Sequence, residues 1–168
     1  MNNLLKQPVH WINSFNMNFA KAKDFEAIKQ IFYKHKMYHV RTDSMKQMIE
    51  MERFIYQDGV VISFHHAKRK QSVGEIPINK GDTVLHQIAN KEPGNGNGKK
   101  MLLKFFDWCE KDVYLSVKAD NYKACEFYKR MGMKDIGEHN WTKVKGRVYV
   151  KQKEVTTLLP KKPKLNKV

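Results

Sequence analysis

Three alternate glycines, Gly94, Gly96 and Gly98, separate a strand-like run from a helix-like run in the sequence IANKEPGNGNGKKML, residues 88–102. Glycines let a backbone approach an anion closely, and the free N–H groups of a helix's first turn point at that anion. The segment therefore suits a pyrophosphate. The spacing excludes a Walker A loop, and the hairpin-like strands around it disfavour a dinucleotide fold. Because flexible loops also contain such repeats, the loop alone leaves a purely structural role open.

A second segment, residues 115–133, reads LSVKADNYKACEFYKRMGM. Its composition predicts a short strand, then a helix capped by Asp120 or Asn121 and stopped by Gly132. The segment resembles the pattern of the GNAT acyltransferase superfamily, in which L-x-V precedes N-x-x-A-x-x-F-Y-x-x-x-G-F. The matching residues are Leu115, Val117, Asn121, Ala124, Phe127, Tyr128 and Gly132, with Met133 in place of the usual phenylalanine.

The glycine loop resembles the acyl-CoA motif of the same family, Q/R-x-x-G-x-G. If Gly96 and Gly98 are its last pair, Pro93 occupies the place of the Gln or Arg. If Gly94 and Gly96 are that pair, Lys91 occupies the place instead. Both registers remain open at this point, so the amides that would hold the pyrophosphate are not fixed by the motif.

The resemblance implies acetyl-CoA or another acyl-CoA as cosubstrate. It implies that the backbone of Ile88, Ala89 and Asn90 pairs with the pantetheine arm and polarises the thioester carbonyl. Asn121 and Ala124 would contact that arm, and Tyr128 would be the general acid near the thioester sulfur. Without the motif, Tyr128 would be interpreted as a core tyrosine. The cradle for the pyrophosphate would consist of Gly94, Asn95, Gly96, Asn97, Gly98 and Lys99.

An attacking amine must be neutral, so a general base is expected near the acyl carbon. His86 is the first candidate, because its unperturbed pKa near 6.5 suits proton removal and strand alternation predicts that it shares a face with Ile88. Glu75 and the pair His65 and His66 are alternatives. Since neighbouring strand residues point to opposite faces, these two histidines are not expected to share a metal, and no metal site is predicted.

These residues must be positioned by an α/β fold. We predict a GNAT-like mixed, mostly antiparallel sheet of six to seven strands with helices on both faces and a splay between the fourth and fifth strands. Periodicity and turn residues predict the elements. They are a strand at 9–15, helices capped by Asp24 and by Thr42 or Ser44, a hairpin around Asp58-Gly59, a strand at 83–90, a helix at 99–108, a strand at 113–117, the helix after Asn121, and closing strands at 133–137 and 147–153.

Charge dominates the composition: 32 Lys and Arg face 17 Asp and Glu, a formal net charge of +15. Such a field attracts phosphate-rich partners, so nucleic acid is a candidate partner beside acyl-CoA and an amine acceptor. Residues 1–153 are expected to form one domain and residues 154–168 a basic flexible tail. The polar N-terminus, the absence of a long apolar run and two unclustered cysteines predict a cytoplasmic protein with no membrane partner.

The sequence therefore predicts an N-acyltransferase that moves an acetyl or related acyl group from acyl-CoA to an amine by direct attack. One alternative is a GNAT-like enzyme that modifies a nucleobase in DNA, suggested by the charge, the patch at Lys68-Arg69-Lys70 and the lysine-rich tail. The other is a non-catalytic basic nucleic-acid-binding module with the same fold, suggested by Pro93 and by the unassigned base.

Overall fold

The computed structural model describes residues 16–154, which form four α-helices and eight strands after a short 3-10 turn at Ala22–Asp24. The helices are α1 (Phe25–Lys34), α2 (Thr42–Glu50), α3 (Asn97–Trp108) and α4 (Tyr122–Arg130). The strands are β1 (Phe54–Gln57), β2 (Val60–His66), β3 (Gln71–Val73), β4 (Ile76–Ile78), β5 (Thr83–Asn90), β6 (Val113–Lys118), β7 (Lys134–Glu138) and β8 (Gly146–Lys151).

Six strands form one sheet in the order β1-β2-β5-β6-β8-β7, while β3 and β4 form a separate hairpin. All pairs in the large sheet are antiparallel except β5 with β6. That parallel pair has only two rungs, Thr83 with Val113 and Val84 with Tyr114. The predicted mixed, mostly antiparallel sheet is therefore confirmed, and so is the splay between its two central strands.

The β1-β2 hairpin shows how local sequence sets this frame. Asp58 and Gly59, the two residues of its turn, both have positive φ, 53° and 74°. Two left-handed residues in a two-residue loop match the twist of the flanking strands, and Asp-Gly is a favoured pair for this turn. The predicted hairpin is confirmed, and its second strand runs to His66.

Helices cover both faces of the sheet, as predicted. On one face, α3 and α4 pack on alternate residues of β2, among them Ile62 and Phe64. On the other face, α1 and α2 pack on Phe54, Val61 and Ala89. The β3-β4 hairpin covers the rest of that face around Val84 and Val148. The two layers fix β5 from both sides and leave its edge toward β6 uncovered.

Several boundaries differ from the sequence prediction. Helix α3 begins at Asn97, two residues early, and Thr42 is the first residue of α2 rather than its cap, which is Arg41. The strand predicted at 9–15 lies outside the described residues, although Phe19 forms a bridge with Ile55 at the outer edge of β1. No helix within residues 16–154 is long and apolar enough to cross a membrane.

Candidate active site

A cleft of about 1000 Å³ opens where β5 and β6 separate. The β5 wall includes His86, Gln87 and Ile88, and the opposite wall includes residues of β6 and α4. Such a volume suits a small-molecule ligand site. The predicted cofactor residues Ile88, Asn121, Ala124 and Tyr128 and the predicted base His86 all line this cleft.

The edge of β5 that faces the cleft carries unpaired backbone groups. The Lys91 N–H donates to Gly59 O (2.8 Å) on the β2 side, whereas Asn90 O accepts from His35 Nε2 (2.7 Å) on the other side. Because backbone groups alternate between edges along a strand, the N–H and C=O of Ile88 point to the open edge. Ala89 instead buries its side chain beneath α1 and α2 and directs its backbone to β2. Ile88 therefore offers the open backbone pair, and the Asn90 carbonyl is already bonded.

The glycine loop places free amides at the start of α3. Gly96 is the N-cap in the left-handed region (φ 83°), and the first helical bond runs from Lys100 N to its carbonyl. In the described part of the chain, the N–H groups of Gly98 and Lys99 have no hydrogen-bond acceptor. A Cβ added at Gly94 or Gly96 would meet no atom within 4 Å, so the space beside them is open. This geometry fits an anion in either register of the motif.

Asparagines hold this loop in shape. The Asn90 side chain donates to Asn95 Oδ1 (2.8 Å) and accepts from the Glu92 N–H (3.1 Å). Asn95 Oδ1 also accepts from the Asn97 N–H (3.0 Å), and Asn97 Nδ2 donates to the Asp58 carbonyl (3.1 Å). Their side chains are thus committed to the scaffold, which leaves the backbone as the part of the loop that can hold a ligand.

The start of α4 positions the opposite wall of the cleft. Asn121 caps the helix, its Oδ1 accepting from the Ala124 N–H (3.2 Å), as the sequence predicted. Tyr128 follows one turn after Ala124, only 9% exposed, with its ring 6.2 Å from that of Tyr149. Burial, followed by the neighbouring Cys125, raises the pKa of Tyr128 to about 12. Its phenol is therefore protonated at neutral pH and available as a donor.

His86 occupies a β-bulge. Ser63 pairs with Gln87 and Phe64 pairs with Leu85, so His86 is an extra residue in β5 without a partner in β2. The alternation expected from the sequence is wrong here, because a bulge shifts the side chains that follow it. Ile88 packs toward α3, whereas His86 lies against His65.

The two imidazoles form a hydrogen-bonded chain with a glutamine. The rings of His65 and His86 stack at 4.9 Å, with His65 Nδ1 2.7 Å from His86 Nε2. Gln71 Nε2 lies 2.9 Å from the other ring nitrogen of His65. His86 is exposed toward the cleft, and the protein packed around the rest of its ring partly desolvates it. This desolvation, then His65 and Arg53, lowers the pKa of His86 to about 4, which keeps the ring neutral at pH 7.

The other proposed bases are placed apart from this chain. His66 Nδ1 is 2.8 Å from Thr83 Oγ1, and its ring packs on Phe64 and Trp108, so it diverges from His65 as predicted. Glu75 is exposed in the turn between β3 and β4 and does not line the cleft.

Four cleft residues carry no sequence signal: His35, Lys36, Gln71 and His139. They come from the end of α1, the residue after it, β3 and the loop after β7, and only the fold brings them together. Their residue types are ordinary and their spacing matches no motif, so the sequence alone would not identify them.

Comparisons with known proteins agree with this geometry. The family model for the acetyltransferase (GNAT) family matches residues 22–133. A GNAT-family acetyltransferase from Bacillus cereus shares the fold at 14% identity with a TM-score of 0.64, over 83% of this chain and 98% of its own. YncA from Salmonella typhimurium, a putative acetyltransferase solved with its cofactor acetyl-CoA, has 16% identity and a TM-score of 0.59 over 82% and 92%. Ard1 from Thermoplasma volcanium has 16% identity and a TM-score of 0.63 over 82% and 96%.

No curated protein matches the chain significantly. The family model covers well over half of the chain, however, and the solved structures share its fold. The chain therefore belongs to the GNAT acetyltransferase family. An acyl-CoA is the cosubstrate of that family, as the sequence resemblance implied.

Proposed function

We propose that this protein is an N-acyltransferase that transfers an acetyl or related acyl group from acyl-CoA to an amine by direct attack. The observation that carries the proposal is the open edge of β5, which leads from the two-rung seam with β6 to the free amides of the glycine loop. An extended amide-containing arm can pair with such an edge as an added strand does. Its pyrophosphate then meets the start of α3.

Each wall of the cleft has its own task. When bound, acyl-CoA supplies a thioester carbonyl that an amine can attack. The Ile88 N–H is the donor on the open edge that polarises this carbonyl, and the Gly98 and Lys99 amides hold the pyrophosphate. The Asn121 cap keeps the start of α4 against the cofactor arm. Family membership and the cleft geometry together support these assignments.

Tyr128 stabilises the leaving thiolate. Its hydroxyl donates to the sulfur as negative charge develops, which lowers the barrier because the donor is already in place. An ordinary thiol has a pKa of about 8.5, well below that of this phenol. Donation of a hydrogen bond, with the proton shared rather than fully released, is therefore the favoured role.

His86 is the proposed base, and Gln71 decides whether it can act. If the Gln71 amide nitrogen donates to His65, then His65 donates to His86 Nε2, and neutral His86 carries its proton on Nδ1. If the amide turns its oxygen to His65, each donor reverses and His86 Nδ1 becomes a free acceptor. Among the described residues Nδ1 has no protein partner, so it is the nitrogen that can receive a proton from the amine.

Binding of CoA gives the first test. Acetyl-CoA should raise the melting temperature of the wild type, since a ligand specific to the native state stabilises it by mass action. Gly98→Glu should weaken CoA binding at least tenfold, because it places a carboxylate beside the anion site.

Gly98→Gln is the matched control, with the same size and no charge. A Cβ at residue 98 lies 3.8 Å from Asn90 Nδ2, an ordinary contact, so both variants should fold. Equal losses of CoA affinity in the two variants would indicate a steric effect. They would contradict an anion-binding site at residue 98. If millimolar CoA does not raise the melting temperature of the folded wild type, the proposed acyltransferase function is wrong. The non-catalytic module with the same fold is then favoured.

A further inference from the structure

The part of the cleft outside the predicted cofactor residues contains no carboxylate. We call it the acceptor end, and its side chains are Lys36, His39, His65, Gln71, His86 and His139. No aspartate or glutamate lines any part of the cleft within residues 16–154. Residues 1–15 and 155–168 contain neither amino acid, so they cannot add one. A cationic amine would find no counterion here.

Three acidic side chains outside the cleft, Asp135, Glu138 and Asp82, are committed to structural partners. Asp135 accepts from two nitrogens of Arg147 (3.1 and 2.8 Å), and Glu138 lies 3.5 Å from the same guanidinium. Buried Asp82 accepts from the Asn79 N–H (2.7 Å). A small movement of the cleft would therefore not recruit these carboxylates to a cationic ligand.

Arg53 adds an uncompensated positive charge beside the acceptor end. It is half-buried, it makes no ion pair with any described residue, and its charge lowers the pKa of both His65 and His86. Arg53 does not line the cleft, so it acts on a bound anion through the attraction of its uncompensated charge rather than by direct contact.

His139 supplies an independent sign of a missing polar partner. It lines the cleft with its ring 4.6 Å from that of Trp141, and its Nδ1 is buried without a hydrogen bond to any described residue. Leaving such an atom unsatisfied costs free energy, so native structures usually provide a partner. An oxygen of a bound ligand at this position would satisfy it.

Resting on the N-acyltransferase function above, we propose that the acceptor is a primary amine that carries a carboxylate or a phosphate close to its nitrogen. The acceptor end attracts such an anion through Arg53 and Lys36 and rejects polycationic amines by like-charge repulsion. The cleft also has to hold the pantetheine arm within about 1000 Å³, which favours a small acceptor.

An anionic acceptor also improves His86 as a base. The charged and titratable groups around this ring are Arg53, His65 and His66, with Lys36, His35, His39 and His139 also near the acceptor end. An anion bound among these groups offsets their positive charge and raises the pKa of His86 from about 4. Proton removal from the amine then becomes easier in the complex than in the free protein.

The test is calorimetric titration of CoA-loaded protein with matched amines. The phosphate pair is 2-aminoethyl phosphate and ethanolamine, the carboxylate pair is β-alanine and β-alaninamide, and spermidine represents polycations. In at least one pair the anionic member should bind tenfold or more tightly than its neutral-group counterpart, and spermidine should bind more weakly than either. The pair with the larger ratio identifies phosphate or carboxylate as the anion.

Arg53→Met should reduce this ratio severalfold. Arg69→Met, which removes the same charge from an exposed position outside the cleft, should leave it as in wild type. Tighter binding of spermidine, equal binding within both pairs, or no binding of either anionic amine at 10 mM would overturn the proposal while CoA binding still upheld the acyltransferase. Failure of CoA itself to bind would overturn both.

Discussion

The glycine loop, here called the glycine end, and the acceptor end of the cleft are built in different ways. The glycine end consists of backbone amides from one continuous segment, fixed by Asn90, Asn95 and Asn97 within eight residues of chain. The acceptor end consists of side chains from the end of α1 and from β2, β3, β5 and the loop after β7. In the proposed function, the first binds a group common to every acyl-CoA, whereas the second recognises one particular amine. Local backbone suffices for the shared ligand, and tertiary assembly supplies the specificity.

The largest effect is expected between the two ends, at Tyr128. Tyr128→Phe should lower kcat about a hundredfold, because the ring still packs while the donor to the leaving thiolate is lost. The Kd for CoA should stay near the wild-type value. Turnover and CoA binding measured on the same preparation check this prediction.

Tyr114→Phe is the control for that variant, since Tyr114 lies on β6 outside the cleft lining. An unchanged kcat in Tyr128→Phe would remove Tyr128 from the chemistry and leave it as a wall of the cofactor site. A weaker Kd for CoA with an unchanged kcat would assign Tyr128 to binding alone.

A smaller effect should separate the acceptor end from the glycine end. Gln71→Leu should lower kcat about tenfold, since the chain from Gln71 through His65 to His86 loses the partner that orients it. Gln71→Glu can only accept from His65, so it should favour free Nδ1 on His86 and move the acid limb of the kcat profile to higher pH. CoA affinity should remain constant in both variants.

The kcat profile from pH 4 to 9 at saturating acceptor distinguishes these effects from simple misfolding. Identical profiles for the Leu and Glu variants would show that Gln71 does not orient His86. A drop in CoA affinity would contradict the separation of the two ends.

The smallest expected effect concerns stability. Desolvation is the main cause that lowers the pKa of His86, and it also lowers those of His65 and His66. At mildly acidic pH these histidines therefore bind more protons in the unfolded chain than in the folded one. Stability is fully present above the unfolded pKa of about 6.5 and is lost as the pH falls toward about 4. His86→Gln should reduce the fall in melting temperature between pH 7 and pH 5. An equal or larger fall in this variant would contradict the assignment.

Sequence reasoning succeeded where the decisive physics is local. The Asn121 cap, the Gly132 stop and the Asp58-Gly59 turn depend on a few neighbouring residues, and each formed as predicted. The mixed, mostly antiparallel sheet and its splay followed from the family resemblance, which summarises contacts that no periodicity reveals. Of the residues chosen from these motifs, Ile88, Asn121, Ala124 and Tyr128 line the cleft, whereas Ala89 turns away from it and Asn90 and the glycine loop are not part of its lining.

Most of the features that the sequence did not predict depend on contacts between segments that are distant along the chain. The face of His86 was predicted incorrectly because a bulge is a property of the β2-β5 pairing and leaves no mark in β5 alone. Arg53, Gln71 and His139 acquire their roles from neighbours that are distant along the chain. Helix α3 starts early because Gly96 adopts a left-handed N-cap, which its residue type permits but does not require.

The two-rung seam between β5 and β6 is also the line along which the sheet should open most easily. It joins two three-stranded ribbons, β1-β2-β5 and β6-β8-β7. The fewest paired residues in the sheet are therefore those between its two central strands. A cosubstrate in the gap would bridge the ribbons and suppress their separation, which is the opening that a protease exploits.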